Sequence, residues 1–335
     1  MCAKVAIVYN QPERSRYADI GEWAAIAGVL EEADAVEKAL GELGYDSFRV
    51  PLSPPLNRAR DVINSVKADI IFNLFEGFDG QPGTEAVIAA MLLETRLPVT
   101  GCTADAIKLC TDKLKVKDIL EASGIKTPRH ILVSGKPPPS FDLKFPCIVK
   151  TSSEHASHGM SEDSVVHNMK QIEIQAAKIS CLFGGEALVE EYEVGREFNA
   201  LVMGRSKMEV FPVSEIIFKL PAGKPRILTY SAKWDPGNEY YNCSSRQCPA
   251  EVDEELRRTA VDTALSVFKL CIGFGYARVD FREDAHGILK VIDVNPNPDI
   301  SPDVGAACQA MVSGLSYNQF IERIISLALE KTNVN

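Results

Sequence analysis

The stretch from Ala277 to Pro298, ARVDFREDAHGILKVIDVNPNP, sets two carboxylates and an amide where they could hold a cation. Asp280 lies in the run RVDF, while Asp293 and Asn295 lie two apart in KVIDVN and so leave the same face of an extended chain. Both runs alternate apolar and polar residues as half-buried strands do, and EDAHG between them is turn chemistry with a glycine, which predicts a hairpin. Three hard oxygen ligands suit Mg²⁺, which keeps several waters and completes its shell with phosphate oxygens. A solvated hairpin with acidic strand ends would carry the same residues, so the rest of the chain must decide.

Several function classes are excluded by composition. The 335 residues are 46% hydrophobic and 24% charged, ordinary for a globular protein with room for two or three domains. A net charge of −10 argues against nucleic acid or an anionic membrane as partner, because both demand clustered basic surface. An anionic small molecule would then be held by a few placed lysines and arginines. The opening MCAKVAIVY shows no signal-peptide pattern, and no eighteen uncharged apolar residues run together, so a cytoplasmic protein is expected. The nine cysteines contain no CxxC pair and no zinc spacing, and they read as reduced thiols.

The elements that must carry the hairpin follow from periodicity. Lys4–Asn10 reads as a buried strand, residues 29–43 as a helix ending at Gly44, 47–50 and 69–74 as strands, and 84–94 as a helix. Strand alternating with helix predicts an N-terminal parallel sheet with helices on both faces. The connection from Gln11 to Gly28, with Glu13, Arg14, Arg16 and Asp19, is long enough to be either a substrate-covering segment or an extra surface helix. Helices at 104–110 and 112–123, strands in GIKTPRHILV, FPCIVK and ALVEEY, and a helix at 169–180 make a small α+β unit. Beyond it strands dominate, with helices at 252–270, 305–312 and 317–331.

Taken together the motifs resemble the ATP-grasp superfamily, and within it the D-alanine–D-alanine ligase-like group. The resemblance rests on the ordered series TG, TDK, GIKTP, FPCIVK, VEEYEVGREF, YSAKW, GYARVDF and VIDVNPNP, which spans nearly the whole chain. It implies an α/β (α+β) ATP-grasp fold of three domains. These are an N-terminal α/β domain at 1–103, a small central lid domain at 104–186 and a C-terminal domain at 187–335, with ATP between the last two. The implied reaction phosphorylates a carboxylate to an acyl phosphate, which an amine attacks, releasing ADP. By the same resemblance Lys113, Lys150 and Lys233 serve the phosphates, Glu190 accepts from the adenine amino group, and Glu193 lies where the hinge meets the ring. Glu197 takes the ribose, and Ser157 belongs to the closing loop TSSEHASHG. Asp280, Asp293 and Asn295 hold two Mg²⁺ ions, for which Mn²⁺ can substitute, and Arg278 meets the tetrahedral oxyanion. The partners implied are a small-molecule acid and amine, with a homodimer as the assembly.

Departures from that group fall on the substrate side. The glycine-rich turn that binds the first amino acid's ammonium is replaced by QPERSRYADIGEW. The lid serine is Ala156, its tyrosine partner is Trp234, and the serine for the second substrate's carboxylate is missing near Val304–Gly305. The metal glutamate is shortened to Asp293, and Asp299 follows NPNP in place of a glycine. Substrate contacts are therefore expected from Glu13, Arg14, Arg16, Glu76 and Asp299. The reading that follows is a ligase for substrates other than D-alanine. A small-molecule kinase, a D-alanine–D-alanine ligase proper and a nucleotide-binding protein without turnover are the alternatives.

Overall fold

The computed structural model describes residues 2–13, 23–78, 81, 83–138, 140–153 and 157–332. Strands β1 (Lys4–Asn10), β2 (Asp46–Leu52) and β3 (Ile70–Leu74) form a parallel sheet in the order β2-β1-β3. Parallel neighbours need crossovers, and helices α1 (Trp23–Glu42) and α2 (Leu56–Ser65) supply them. β1 is buried along all but its first residue, as a strand covered on both faces must be. Gly44 ends α1 with φ +86°, and the N–H groups of Gly44 and Tyr45 donate to the carbonyls of Gly41 and Leu40. No helix is expected at Leu56–Ser65, a short mixed run of polar and apolar residues. Ala59 and Ile63, buried and one turn apart, fix it there.

Helix α3 (Thr84–Glu94) closes this unit, and α4 (Ala104–Thr111) and α5 (Lys113–Ala122) lead to the next. There β4 (His130–Val133), β5 (Cys147–Thr151), β6 (Val165–Val166) and, after α6 (Met169–Leu182), β7 (Ala187–Glu191) form an antiparallel sheet ordered β4-β7-β5-β6. Because β7 pairs with both β4 and β5, it belongs to the central unit. We therefore draw the boundary with the C-terminal unit after Glu191 instead of at 186.

The C-terminal unit contains β8 (Glu197–Gly204), β9 (Met208–Val210), β10 (Ser214–Phe218), α7 (Tyr230–Trp234), α8 (Glu239–Asn242) and β11 (Ser244–Gln247). It continues with α9 (Glu254–Cys271), β12 (Gly275–Glu283), β13 (Leu289–Pro296), α10 (Gly305–Val312) and α11 (Tyr317–Thr332). Its sheet runs β11-β10-β8-β12-β13, with β9 also paired to β8. One face, with Phe198, Ala200, Val202, Ala277, Val279 and Phe281, is buried against α9, α4 and α5. The alternate residues Asn199, Leu201, Arg278, Asp280 and Arg282 therefore point to the opposite face. There Leu201 and Ala306, Ala307 and Ala310 of α10 share a core with α1, β1 and α11, which fastens the N-terminal unit to this sheet.

Gln309 anchors α10. Its Nε2 donates to Asn199 O at 3.0 Å, Asn199 Oδ1 at 2.6 Å and Ser214 Oγ at 2.8 Å, and its Oε1 accepts from Leu201 N at 2.6 Å. The residue is fully buried, so nothing replaces these partners. Gln309→Leu should cost about 2–3 kcal/mol of stability, the usual range for stranding buried polar groups. Urea unfolding of wild type and variant measures it; a loss below about 0.5 kcal/mol would show that the bridge is dispensable.

Candidate active site

The hairpin assembles its polar group by register. Arg278 on β12 faces Asn295 on β13 and Asp280 faces Asp293, with a bulge immediately after Asp280. Directly opposed residues and residues two apart share a face, so all four side chains emerge together. Arg278 grips Asp280 with two bonds, Nε to Oδ1 at 2.7 Å and NH2 to Oδ2 at 2.9 Å. Asn295 Nδ2 adds a third at 3.0 Å. The guanidinium pKa is raised: burial opposes its charge, but the Asp280 carboxylate outweighs burial.

Cations converge on this face from three segments. Lys113, the first residue of α5, donates to Asp293 Oδ1 at 2.9 Å and Oδ2 at 3.0 Å. Lys150 on β5 donates to Ile292 O at 3.1 Å, one residue from Asp293, and its Nζ lies 2.9 Å from Glu190 Oε1. Lys233 on α7 is half-buried, and its pKa is pulled down to about 8, first by burial and then by Arg278. Lys113 and Lys150, expected at the phosphates, are thus held by acidic residues of the same site, and Lys233 lies within electrostatic reach of Asp280, Glu197 and Asp293.

The acidic residues from Glu190 at the end of β7 to Glu197 at the start of β8 are each paired with a cation. Glu190 is 1% exposed, and its carboxyl is held below the usual range; burial alone would raise it, but Lys117 and Lys150 prevail. Lys290 donates to Glu193 at 2.5 Å, and Arg282 donates to Glu197 at 2.8 Å and to Tyr192 Oη at 3.1 Å. Glu197 is nevertheless raised, because burial outweighs Arg282 and Asp280 lies near. Lys117 and Arg282 are functional neighbours that sequence reasoning missed. Both had a positional signal, Lys117 one helical turn beyond Lys113 and Arg282 two residues beyond Asp280.

On the substrate side the structure gathers only part of the expected set. Arg14, Arg16, Asp19 and Ala156 lie outside the described residues. Glu13 is exposed at the end of the described β1 segment. Glu76 is exposed after β3, where its N–H donates to Asn10 Oδ1 at 3.1 Å. Asp299 is half-buried and accepts from Ser301 N at 2.8 Å. Glu32 of α1, not foreseen because its spacing reads as ordinary helix, joins them: its Oε1 accepts from Ile300 N at 2.8 Å. Its carboxyl is pushed well up by burial, then by Asp299 and Glu76. Val304 caps α10 without a side-chain bond, so no hydroxyl replaces the missing serine. Trp234 packs its ring against Gly28, where a Cβ would come within 3.1 Å, and its buried Nε1 has no hydrogen-bond partner among the described residues. Ser157 is half-buried with φ +61°.

Among the described residues no group of three or more His, Cys, Asp or Glu side chains is arranged to hold a metal. Two carboxylates and an amide on one face do not make a complete protein cage. They fit a cation such as Mg²⁺, which binds through one or two carboxylates and takes its other ligands from water and phosphate.

Residues 140–326 match the family model described as the D-ala D-ala ligase C-terminus. An uncharacterized protein, y4sG, of Sinorhizobium fredii is 30% identical over 88% of this chain and 87% of its own length. A D-alanine–D-alanine ligase of Carboxydothermus hydrogenoformans is 29% identical over 90% and 93%. The fold is that of a D-alanine–D-alanine ligase from Bacillus anthracis, solved in complex with ATP (TM-score 0.73, 20% identity, 99% of both chains). VanG D-Ala:D-Ser ligase from Enterococcus faecalis superposes similarly (TM-score 0.72, 19% identity, 98% of this chain and 100% of that one).

Lys233 allows a check of the site's electrostatics without substrate. Its folded pKa of about 8 lies below its ordinary 10.5, so between those values the unfolded state binds more protons and stability rises with pH. Below pH 8 the full penalty of a buried charge is present. Lys233→Met should therefore stabilise the protein at pH 7 by about 1–3 kcal/mol and by clearly less at pH 10. Equal effects at the two pH values in urea unfolding would contradict this placement of the lysine.

Proposed function

The chain belongs to the D-alanine–D-alanine ligase family through its C-terminal domain, and on that premise we propose an ATP-dependent, ADP-forming ligase that joins a small carboxylic acid to an amine, with a pair other than D-alanine and itself. The observation that carries this reading is the convergence of Lys113, Lys150 and Lys233 on the face that bears Arg278, Asp280, Asp293 and Asn295. Three cations beside two carboxylates and an arginine form a site matched to a polyphosphate and its counter-cation.

In this reading the adenine lies against the strand-end run from Glu190 to Glu193 and the ribose against Glu197. Lys113, Lys150 and Lys233 hold the phosphates. Asp280, Asp293 and Asn295 would hold Mg²⁺, which would supply charge neutralisation for phosphoryl transfer to the substrate carboxylate. Arg278, already fixed by Asp280, presents its remaining N–H groups toward the negative charge that forms when the amine attacks the acyl phosphate. Because the arginine is preorganised by two bonds, little reorganisation is needed at that moment.

The substrate side argues against D-alanine. Val304 offers no hydroxyl for a carboxylate, Trp234 offers an indole in place of a phenol, and the acidic side chains Glu76 and Asp299 lie near the loop after NPNP beside Glu32, which burial holds toward its neutral form. Such a region suits an ammonium, which D-alanine shares, so the discrimination rests on Val304 and Trp234. Each unmatched polar group costs roughly 1–3 kcal/mol, so a few of them amount to several orders of magnitude in kcat/KM.

Two experiments test the proposal. Arg278→Ala should bind Mg-ATP within about threefold of wild type and lose about 10²–10³ in kcat, as removal of an oxyanion donor does; undiminished ligation would make Arg278 structural. A panel of amino acids, hydroxy acids and amines with Mg-ATP should release ADP and free phosphate for at least one acid–amine pair. Phosphate retained on the acceptor would instead indicate a kinase, and D-alanyl-D-alanine as the best product would overturn the specificity argument.

A further inference from the structure

Glu190 carries two cations on one oxygen. Lys150 Nζ and Lys117 Nζ each lie 2.9 Å from Oε1, and the carboxylate side chain is 2% exposed. The two lysines are not equivalent. Lys150 retains 15% exposure near the end of β5; Lys117 retains 4% and is packed inside α5. Lys117 is fixed from a second side as well, since it donates to Thr127 Oγ1 at 2.6 Å, and that hydroxyl donates to Val291 O at 2.9 Å. A phosphate arriving at the site can therefore draw away Lys150 but cannot reach Lys117.

With Lys117 absent, removing Lys150 would leave a buried carboxylate without a counterion, which is strongly unfavourable. With Lys117 present, the carboxylate keeps one cation and one fixed geometry. We propose that Lys117 is a positioning residue for the nucleotide: by remaining on Glu190 it frees Lys150 to bind the triphosphate. This rests on the nucleotide-binding reading above. Burial pulls the Lys117 pKa down, with Lys150 adding to the effect and Glu190 opposing it, consistent with one cation held in excess until an anion arrives. Lys113 and Lys117 thus divide the work of one helix face, the first standing beside Asp293 and the second beside Glu190.

The test compares wild type, Lys117→Met, Glu190→Gln and the double variant in calorimetric titrations with Mg-ATP and with inorganic tripolyphosphate plus Mg²⁺. Tripolyphosphate reports on Lys150 without any adenine contact from Glu190. Lys117→Met should weaken both probes about tenfold or more, because Glu190 then holds Lys150 alone. The double variant should regain tripolyphosphate binding to within about threefold of Glu190→Gln, since a neutral amide no longer competes for Lys150. Undiminished binding by Lys117→Met, or a double variant as weak as Lys117→Met, would show that Lys117 is only structural. Should Lys117→Met not fold, Glu190→Gln alone decides: tripolyphosphate binding tighter than wild type supports the competition, and weaker binding overturns it. A wild type that binds neither probe refutes the nucleotide reading and this inference with it.

Discussion

Asp280 and Asp293 stand opposite one another across a hairpin, an arrangement that is unfavourable for two like charges unless cations sit beside them. Arg278 and the Asn295 amide satisfy the first, and Lys113 satisfies the second. The surrounding architecture can be read from that constraint. Lys113 must be delivered by the N-terminus of α5, where Asp112 caps the helix and the Lys113 N–H donates to Ser152 O, fixing the helix end against the strand that carries Lys150. Arg282 and Glu197 continue the same face outward, and the opposite face is closed by apolar packing.

The ion pairs are weak grounds for stability and strong grounds for function. A buried pair contributes little net free energy, because desolvation offsets attraction, yet losing one partner costs about 3–5 kcal/mol. A chain selected only to fold would do as well with apolar residues of similar volume. Retaining this many charges at a junction between two sheets makes sense if they exchange partners, with phosphates and a cation replacing the internal pairs. The lysines from α5 and β5 also tie the central unit to the C-terminal hairpin.

Much of this was readable from residue order. The hairpin and the parallel sheet followed from alternation and turn chemistry, both local signals, whereas the lysines at 113, 150 and 233 were picked out by the resemblance to ATP-grasp motifs. What escaped was set by tertiary placement. Helix α2 is only ten residues long, with too few turns to reveal its period. Strand β7 lies past the boundary at 186 that the resemblance implies, but it pairs between β4 and β5. Glu32 looks like a solvent-facing helix residue, and only packing of α1 against the loop at Ile300 buries it. Lys117 was visible at one-turn spacing from Lys113, but its partner is a residue far along the chain.

The central claim is that the acidic face holds its lysines and arginine in readiness for a magnesium nucleotide. The direct measurement is a crystal structure with Mg²⁺ and a non-hydrolysable ATP analogue. The account predicts Lys113 and Lys150 transferred from Asp293 and Glu190 to phosphate oxygens, with a cation about 2.1 Å from carboxylate oxygens of Asp280 and Asp293. A nucleotide bound elsewhere, with the Lys113–Asp293 and Lys150–Glu190 pairs intact, would contradict it.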